Sequence, residues 1–464
     1  MGIAIVLVLL VIGTVLFHLF SPWWLTPIAS NWTTIDTTID ITVWVTGIVF
    51  ILVNLFMAYA IFRYRYRDNA RSEYEPENRR LEIWLTALTT VGIVAMLAPG
   101  LIVWAKIITV PDDAMTVEVV GHQWQWTYRF PGQDNQFGTT DPTHFSPDNP
   151  FGMNPDDPAG QDDILVISNQ VHLPVDKSIK VILRSKDVLH NFAVPQFRVK
   201  MDMVPGMVTY FWFTPTRTGA FDVMCQELCG MGHHLMRGKV VIEEENGFQS
   251  WLDSQSTYRQ IRAQQVADIN TGKQLYAVCT ACHGPSGEGN QNLNAPAIAG
   301  LDAEYVARQL DYFRRGIRGG PESGSQSQQM AAMAGTLADD QAVRNVAAYI
   351  ASLSPASPDR TLAGNPEKGE AIYRNCAVCH GTQGQGIWTT GAPRLTGVDD
   401  WYLAGQLQQF RSGLRGRHPE DAYGAQMVAM AAFLNGEGAI QDVVAYIGTL
   451  QDSGSETKQL ARGK

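Results

Sequence analysis

Hydrophobic positions change rhythm several times along this 464-residue chain. Three apolar runs come first, at 3–20, 41–62 and 83–108. The second and third are long enough, as helices, to cross a hydrocarbon core of about 30 Å. The first has 18 residues and no basic leader, and Ala29 and Ser30 offer small residues downstream. It reads equally as a signal peptide or as a retained transmembrane helix. Arg63, Arg65, Arg67, Arg71, Arg79 and Arg80 lie between the second and third runs, whereas 21–40 holds no Lys or Arg. Positive-inside bias therefore puts 63–80 in the cytoplasm and everything after about Thr109 on the outer face.

From there the period becomes two. Residues 116–130 (T-V-E-V-V-G-H-Q-W-Q-W-T-Y-R-F) read as one strand, and 164–168, 179–185, 208–213, 220–224 and 239–243 read likewise. Short strands at such spacing predict a β-sandwich or Greek-key barrel. A Pro/Gly/Asp/Asn-rich stretch at 131–163 interrupts it, long enough to be either functional or mobile. At 249–265 the pattern turns helical and polar, as at a domain junction. Beyond it the chain repeats itself at an offset of 97 residues, as from Cys279 to Cys376. Gly272, Tyr276, His283, Pro296, Tyr305, Leu310, Arg318, Met330, Met333, Leu337 and Tyr349 all recur at that offset without a gap. Two small, mostly helical domains produced by duplication are expected, joined by a Pro/Ser linker at 354–358.

Charge adds a partner class. The net charge is −10, and 109–250 carries 10 Lys/Arg against 18 Asp/Glu. An acidic domain of this kind either steers a cationic redox partner or is simply kept soluble. No nucleic acid is expected as a partner.

The six cysteines are all committed to motifs. Cys279, Cys282 and His283 form C-T-A-C-H; Cys376, Cys379 and His380 form C-A-V-C-H. C-x-x-C-H is the attachment signature of haem c, with both thiols bonded to the porphyrin and the histidine on the iron. That attachment takes place outside the cytoplasm, in agreement with the arginine pattern. Cys225 and Cys229 belong to C-Q-E-L-C-G-M-G-H-H-L-M, where His233 and Met236 follow. Thiolates, imidazole and a thioether suit a copper electron-transfer site. Two thiolates can bridge two copper ions, and His190 in D-V-L-H is the upstream imidazole best placed to complete the second. A zinc site and a disulfide are the competing readings, and His234 reads as a surface neighbour. Each haem repeat offers M-x-x-M for the distal ligand, Met330 or Met333 and Met427 or Met430, and duplication alone does not choose between them.

These residues carry a resemblance. G-H-Q-W-Q-W at 121–126, D-V-L-H at 187–190, K-M-D-M-V-P-G at 200–206 and the cysteine cluster at 225–236 resemble subunit II of the haem-copper cytochrome c oxidases. The resemblance implies a cupredoxin-like Greek-key β-barrel copper domain behind N-terminal transmembrane helices. It implies a dinuclear Cu-A centre held by His190, Cys225, the Glu227 carbonyl, Cys229, His233 and Met236. The Glu227 side chain would reach a Mg²⁺ at the interface with subunit I. Trp124 matches the family's electron-accepting aromatic, with a core strand residue as the plain alternative. Glu82 aligns with a glutamate at the mouth of the proton pathway, although the tryptophan after it is shifted by one position, to Trp84. The C-terminal half is similar to tandem two-haem bacterial cytochromes c. There the ligating methionine stands seven residues before a helix-starting Leu, which favours Met330 and Met427.

The whole is expected to be a multi-domain chain. Its parts are a first apolar segment (1–30), a transmembrane hairpin (31–110), the Cu-A domain (111–248) and two tandem all-α cytochrome c domains (264–355 and 361–452). The implied protein is a subunit of a respiratory terminal oxidase, similar to caa3-type enzymes but with one more haem c. It would lie in the bacterial inner membrane with its redox domains periplasmic. Electrons would come from cytochrome c or a membrane quinol-oxidising complex and leave to subunit I, where oxygen reduction is coupled to proton translocation. A Cu-A subunit of a nitric oxide reductase and a membrane-tethered carrier without a catalytic partner are the alternatives. The order of the two haems and the role of 131–163 stay open.

Overall fold

The computed structural model describes residues 2–21, 26–68, 76–146, 149–264, 266–355, 357–436 and 438–450; Arg71 of the arginine set between the second and third apolar runs lies outside them. The three apolar runs are helices α1 (Gly2–Phe20), α2 (Thr33–Arg63) and α3 (Arg79–Ile108), each long and apolar enough to span a membrane. Helix α2 starts well before its apolar run. Thr37, Thr38 and Thr42 return their hydroxyls to carbonyls four residues back, so polar side chains continue the helix. Both long helices are tied to the next domain. Arg198 donates to both oxygens of Asp36 in the first turn of α2, at 2.6 and 2.8 Å. At the far end of α3, Trp212 Nε1 donates to the Lys106 carbonyl at 3.1 Å.

That domain is two facing sheets. Strands β1 (Met115–His122), β2 (Gln125–Phe130), β3 (Ile164–Val166), β4 (Gln170–Pro174), β5 (Ile179–Ser185), β6 (His190–Val194), β7 (Val199–Met203), β8 (Thr209–Phe213), β9 (Gly219–Cys225) and β10 (Arg237–Glu243) are followed by α4 (Glu245–Asp253), β11 (Ser256–Thr257) and α5 (Tyr258–Gln264). The sheet orders are β11-β3-β2-β1-β5-β8 and β4-β10-β9-β6-β7, with β1–β5 and β4–β10 parallel. Trp126, Phe192, Phe197, Phe213 and Met203 fill the space between them.

The single strand expected at 116–130 is a hairpin, with His122 paired to Gln125. Its turn has no Gly, Pro or Asn and is fixed from outside. Asp187 accepts the Gln123 N–H at 2.7 Å, and the Gln123 side chain donates to the Cys229 carbonyl at 2.8 Å. Strands β4, β6 and β7 are not among those expected: each is only five residues long, and β6 is buried at every position, so it shows no alternation.

Part of the 131–163 segment folds as a small core of its own. Phe151 and Met153 are fully buried with Val120, Leu165 and Tyr258. Arg129 anchors it, donating to the Gly138 carbonyl at 2.9 Å and to Asp163 at 3.0 Å while its Nε holds Glu118 at 2.6 Å. Glu118 also receives Arg184 at 2.6 Å. Burial alone would raise the Glu118 carboxyl, but the two guanidiniums outweigh it and hold the group below the ordinary range. The segment also grips α5: Tyr258 N–H donates to the Asp163 carbonyl and Arg262 to that of Pro155.

The repeats are helical. The first has α6 (Ile269–Tyr276), α7 (Thr280–His283), α8 (Ala303–Arg314), α9 (Ser325–Ala334) and α10 (Asp340–Ser352); the second has α11 (Pro366–His380), α12 (Asp400–Ser412), α13 (Ala422–Ala431) and α14 (Ala439–Ile447). In each, the first and last helices cross at a glycine. A Cβ on Gly272 would stand 2.0 Å from the Asn345 carbonyl oxygen, and one on Gly369 the same distance from that of Asp442. Only glycine permits that approach.

Candidate metal centres

The cysteine cluster grows out of strand pairing. Strand β9 ends at Cys225 and β10 starts one residue after Met236, so 226–236 is the connection of an antiparallel pair, closed by Cys225 N–H to the Met236 carbonyl at 3.1 Å. His190 opens the neighbouring strand β6, which pairs Phe192 with Cys225 and brings the imidazole to the same end of the sheet.

There six donors converge. The two sulfurs are 3.6 Å apart. Around Cys225 Sγ stand the Glu227 carbonyl at 3.2 Å and His190 Nδ1 at 4.0 Å. Around Cys229 Sγ stand His233 Nδ1 at 3.5 Å and Met236 Sδ at 3.7 Å. Each sulfur thus has one imidazole and one weak donor of its own. His190, Cys225, Cys229 and Met236 are all buried. The contact with Cys229 holds the Cys225 thiol well below its usual range, and the same contact raises Cys229, so the pair resists losing both protons without a cation between the sulfurs. Asp187 orients the upstream imidazole, meeting His190 Nε2 at 2.8 Å and leaving Nδ1 for the sulfurs.

Trp124 lies flat on the loop. Its Nε1 donates to the Cys229 carbonyl at 3.0 Å, and a Cβ on Gly232 would stand 2.4 Å from the indole.

In the repeats the histidines are presented alike. His283 Nδ1 bonds the Pro296 carbonyl and His380 Nδ1 that of Pro393, both at 2.8 Å, which leaves each Nε2 free. Burial lowers both histidines, favouring the neutral imidazole that can ligate iron. Tyr276 and Tyr373 brace the motifs by donating to the Gly284 and Gly381 carbonyls at 2.9 and 2.7 Å. Both motifs open into one continuous, mainly apolar cavity of about 610 Å³, which also touches Met330, Met333, Met427 and Met430 and reaches Trp124 and Gly232. Apolar walls, two thiols and a free imidazole nitrogen per repeat fit a covalently held haem.

Both regions match known protein families. The cytochrome c oxidase subunit II periplasmic-domain family matches 115–244, and the cytochrome c family matches 269–354 and 366–451. The alternative cytochrome c oxidase subunit 2 of Bradyrhizobium diazoefficiens is 57% identical over 258 residues, 56% of this chain and 93% of that protein. The chain belongs to the cytochrome c oxidase subunit 2 family. Subunit 2 of Cereibacter sphaeroides is 31% identical over 44% of this chain and 70% of its own length. Among solved structures, the periplasmic domain of subunit II of cytochrome oxidase from Bradyrhizobium japonicum is 30% identical over 32% of this chain and 96% of its own (TM-score 0.24). Cytochrome c4 from Pseudomonas stutzeri is 27% identical over 40% of this chain and all of its own (TM-score 0.32). The family carries copper in its periplasmic domain, the cytochrome c domains carry haem c, and the chain is an electron-transfer subunit of a haem-copper oxidoreductase.

The structure brings His190, Cys225, Glu227, Cys229, His233, Met236 and Trp124 together, and leaves His234 exposed beside them. Glu82 is in the first turn of α3, about 40 Å along a 30-residue helix from the end that meets the copper domain. Met330 and Met427 pack against their domain cores, while Met333 is 41% exposed. Two features escape a reading of the sequence. Asp187 has a local signal, a carboxylate three residues before His190. The joint between the repeats, built on Arg318 and Arg415, has only their recurrence at the repeat offset.

Proposed function

We propose that this subunit takes up electrons at two haem c groups and passes them to a dinuclear Cu-A centre and on to subunit I, for oxygen reduction coupled to proton translocation. Bound copper and haem iron would supply reversible one-electron chemistry; the chain positions and insulates them. His190, Cys225, the Glu227 carbonyl, Cys229, His233 and Met236 would hold the copper, and the Glu227 carboxylate a Mg²⁺ facing subunit I. Cys279, Cys282, His283 and Met330 would hold one haem, and Cys376, Cys379, His380 and Met427 the other. Trp124 is the contact for electrons arriving at the copper domain, and Glu82 a proton-pathway residue at the cytoplasmic end of α3. The units run 31–110, 111–248, 264–355 and 361–452. We read 1–30 as containing a further span, since α1 lies along α2 with His18 against Trp44 at 6.1 Å. The setting is the bacterial inner membrane, with cytochrome c or a quinol-oxidising complex as donor.

One observation carries this reading. Two buried sulfurs lie 3.6 Å apart, and each has its own imidazole and its own weak donor. A structural zinc site gathers four ligands about one point; this donor set divides into two halves across a shared pair of thiols. The test is to purify the complex from membranes, type its haems and metals and assay oxygen uptake. A complex without a histidine-rich membrane partner or without oxygen consumption would overturn the proposal.

A further inference from the structure

The two haem-binding repeats descend from one unit, yet they do not meet the copper domain alike. The second repeat packs on it. Cys379, in the second attachment motif, joins the hydrophobic cluster that contains Trp124 and Cys229. Its counterpart Cys282 is exposed. Lys186, four residues before His190, stands over the ring of Trp388 at 5.3 Å and over Phe145 of the 131–163 segment at 5.4 Å. The Tyr423 hydroxyl faces the side chain of Gln125, next to Trp124.

The sequence marks the same asymmetry. At the repeat offset, Trp388 corresponds to Gln291 and Tyr423 to Gln326. The two aromatics that meet the copper domain therefore occur only in the repeat that packs there. The first repeat packs on the second through a joint with near two-fold symmetry, and its Glu304 comes within charge reach of Lys186. Arg318 donates to the Tyr402 hydroxyl and to Gln406 Oε1, both at 3.0 Å. Arg415 donates to the Tyr305 hydroxyl at 3.5 Å and to Gln309 Oε1 at 2.8 Å. All of these joint residues line the cavity into which both attachment motifs open. Cys282 of the first motif faces solvent, whereas its counterpart Cys379 is partly covered by the copper-domain cluster, so the thiol side of the first motif is the one reachable from outside.

We propose that electrons travel against chain order. The first repeat accepts one electron at a time from a reduced external cytochrome or similar one-electron donor, which is oxidised. It hands each electron across the Arg318–Arg415 joint to the second repeat, and the second repeat delivers it to the copper cluster beside Trp124. This rests on the Cu-A reading and adds to it which repeat is the immediate donor.

The experiment uses the full-length protein loaded with copper and haem, with copper reduction followed optically after photoreduction of the haems. Trp388→Ala with Tyr423→Ala should slow copper reduction by about tenfold, leaving the copper EPR spectrum and the haem absorption bands as in the parent. Gln291→Ala with Gln326→Ala should leave the rate unchanged. Trp388→Phe should recover most of the rate that Trp388→Ala loses. Slowing by the glutamine pair, or an unchanged rate in the Trp388/Tyr423 pair, overturns the proposed order. No haem-to-copper transfer in the parent protein overturns the Cu-A reading with it.

Discussion

The indole N–H of Trp124 donates to the carbonyl oxygen of Cys229 at 3.0 Å, so one side chain touches both the thiol loop and the cavity shared by the haem repeats. A core strand residue would need only to be apolar and buried. This one spends its polar atom on the backbone of a cysteine in the thiol cluster.

Trp124→Gln should therefore slow copper reduction by the attached haems while the copper spectrum stays intact. Flash-photolysis kinetics are the check, and an unchanged rate would reduce Trp124 to packing. Because the donor is tethered, transfer within the chain should depend weakly on salt, whereas delivery by an external donor should fall more steeply as ionic strength rises.

Metal analysis should give two copper ions per chain, and EPR one unpaired electron shared between them. Cys225→Ser should abolish the centre, since a hydroxyl cannot replace a bridging thiolate. A four-line single-copper spectrum, or zinc in the purified protein, would falsify the assignment.

Met427→Ala should remove the sulfur-to-iron absorption band of one haem only, and Met430→Ala should leave both bands. The reverse result would transfer the ligand role to Met430. Both methionines line the cavity, so the spectrum decides where position does not.

Glu118→Gln should destabilise the copper domain by about 3–5 kcal/mol, because Arg129 and Arg184 are left buried without their shared anion. The pH dependence has a definite sign. The folded carboxyl lies below its ordinary value of 4.5. Its contribution is thus present above that value and is lost as pH falls through the lower, folded one. Thermal melts of the parent should lose stability on acidification over that window, and melts of the variant should lose less.

The residues proposed as metal donors are legible as clusters in the sequence because their spacing is local: Cys225 to Met236 is one strand connection, and each C-x-x-C-H is one helical turn. His190 is legible as the imidazole in a recognisable short motif. The turn at Gln123 and Trp124 is not, since a run of β-formers hides a hairpin. That turn is held by Asp187 and Cys229, 64 and 106 residues along the chain from Gln123. The 131–163 segment hides its structure in the same way. Its composition reads as loop, and Arg129 and Arg184, which bond its Gly138, Asp163 and Phe151, lie outside it. The helical repeats are plain from their offset, whereas the way they pack depends on pairs such as Arg318 with Tyr402 that no local pattern reports.

Duplicating a domain creates an ambiguity, because two like copies could each occupy the same berth. Trp388 and Tyr423 against Gln291 and Gln326 break the tie: Lys186 meets the face of an aromatic ring at this berth, where the other copy would offer it only a glutamine amide. One arrangement of the copies is then preferred over its exchange, and a chain with two interchangeable parts acquires a direction.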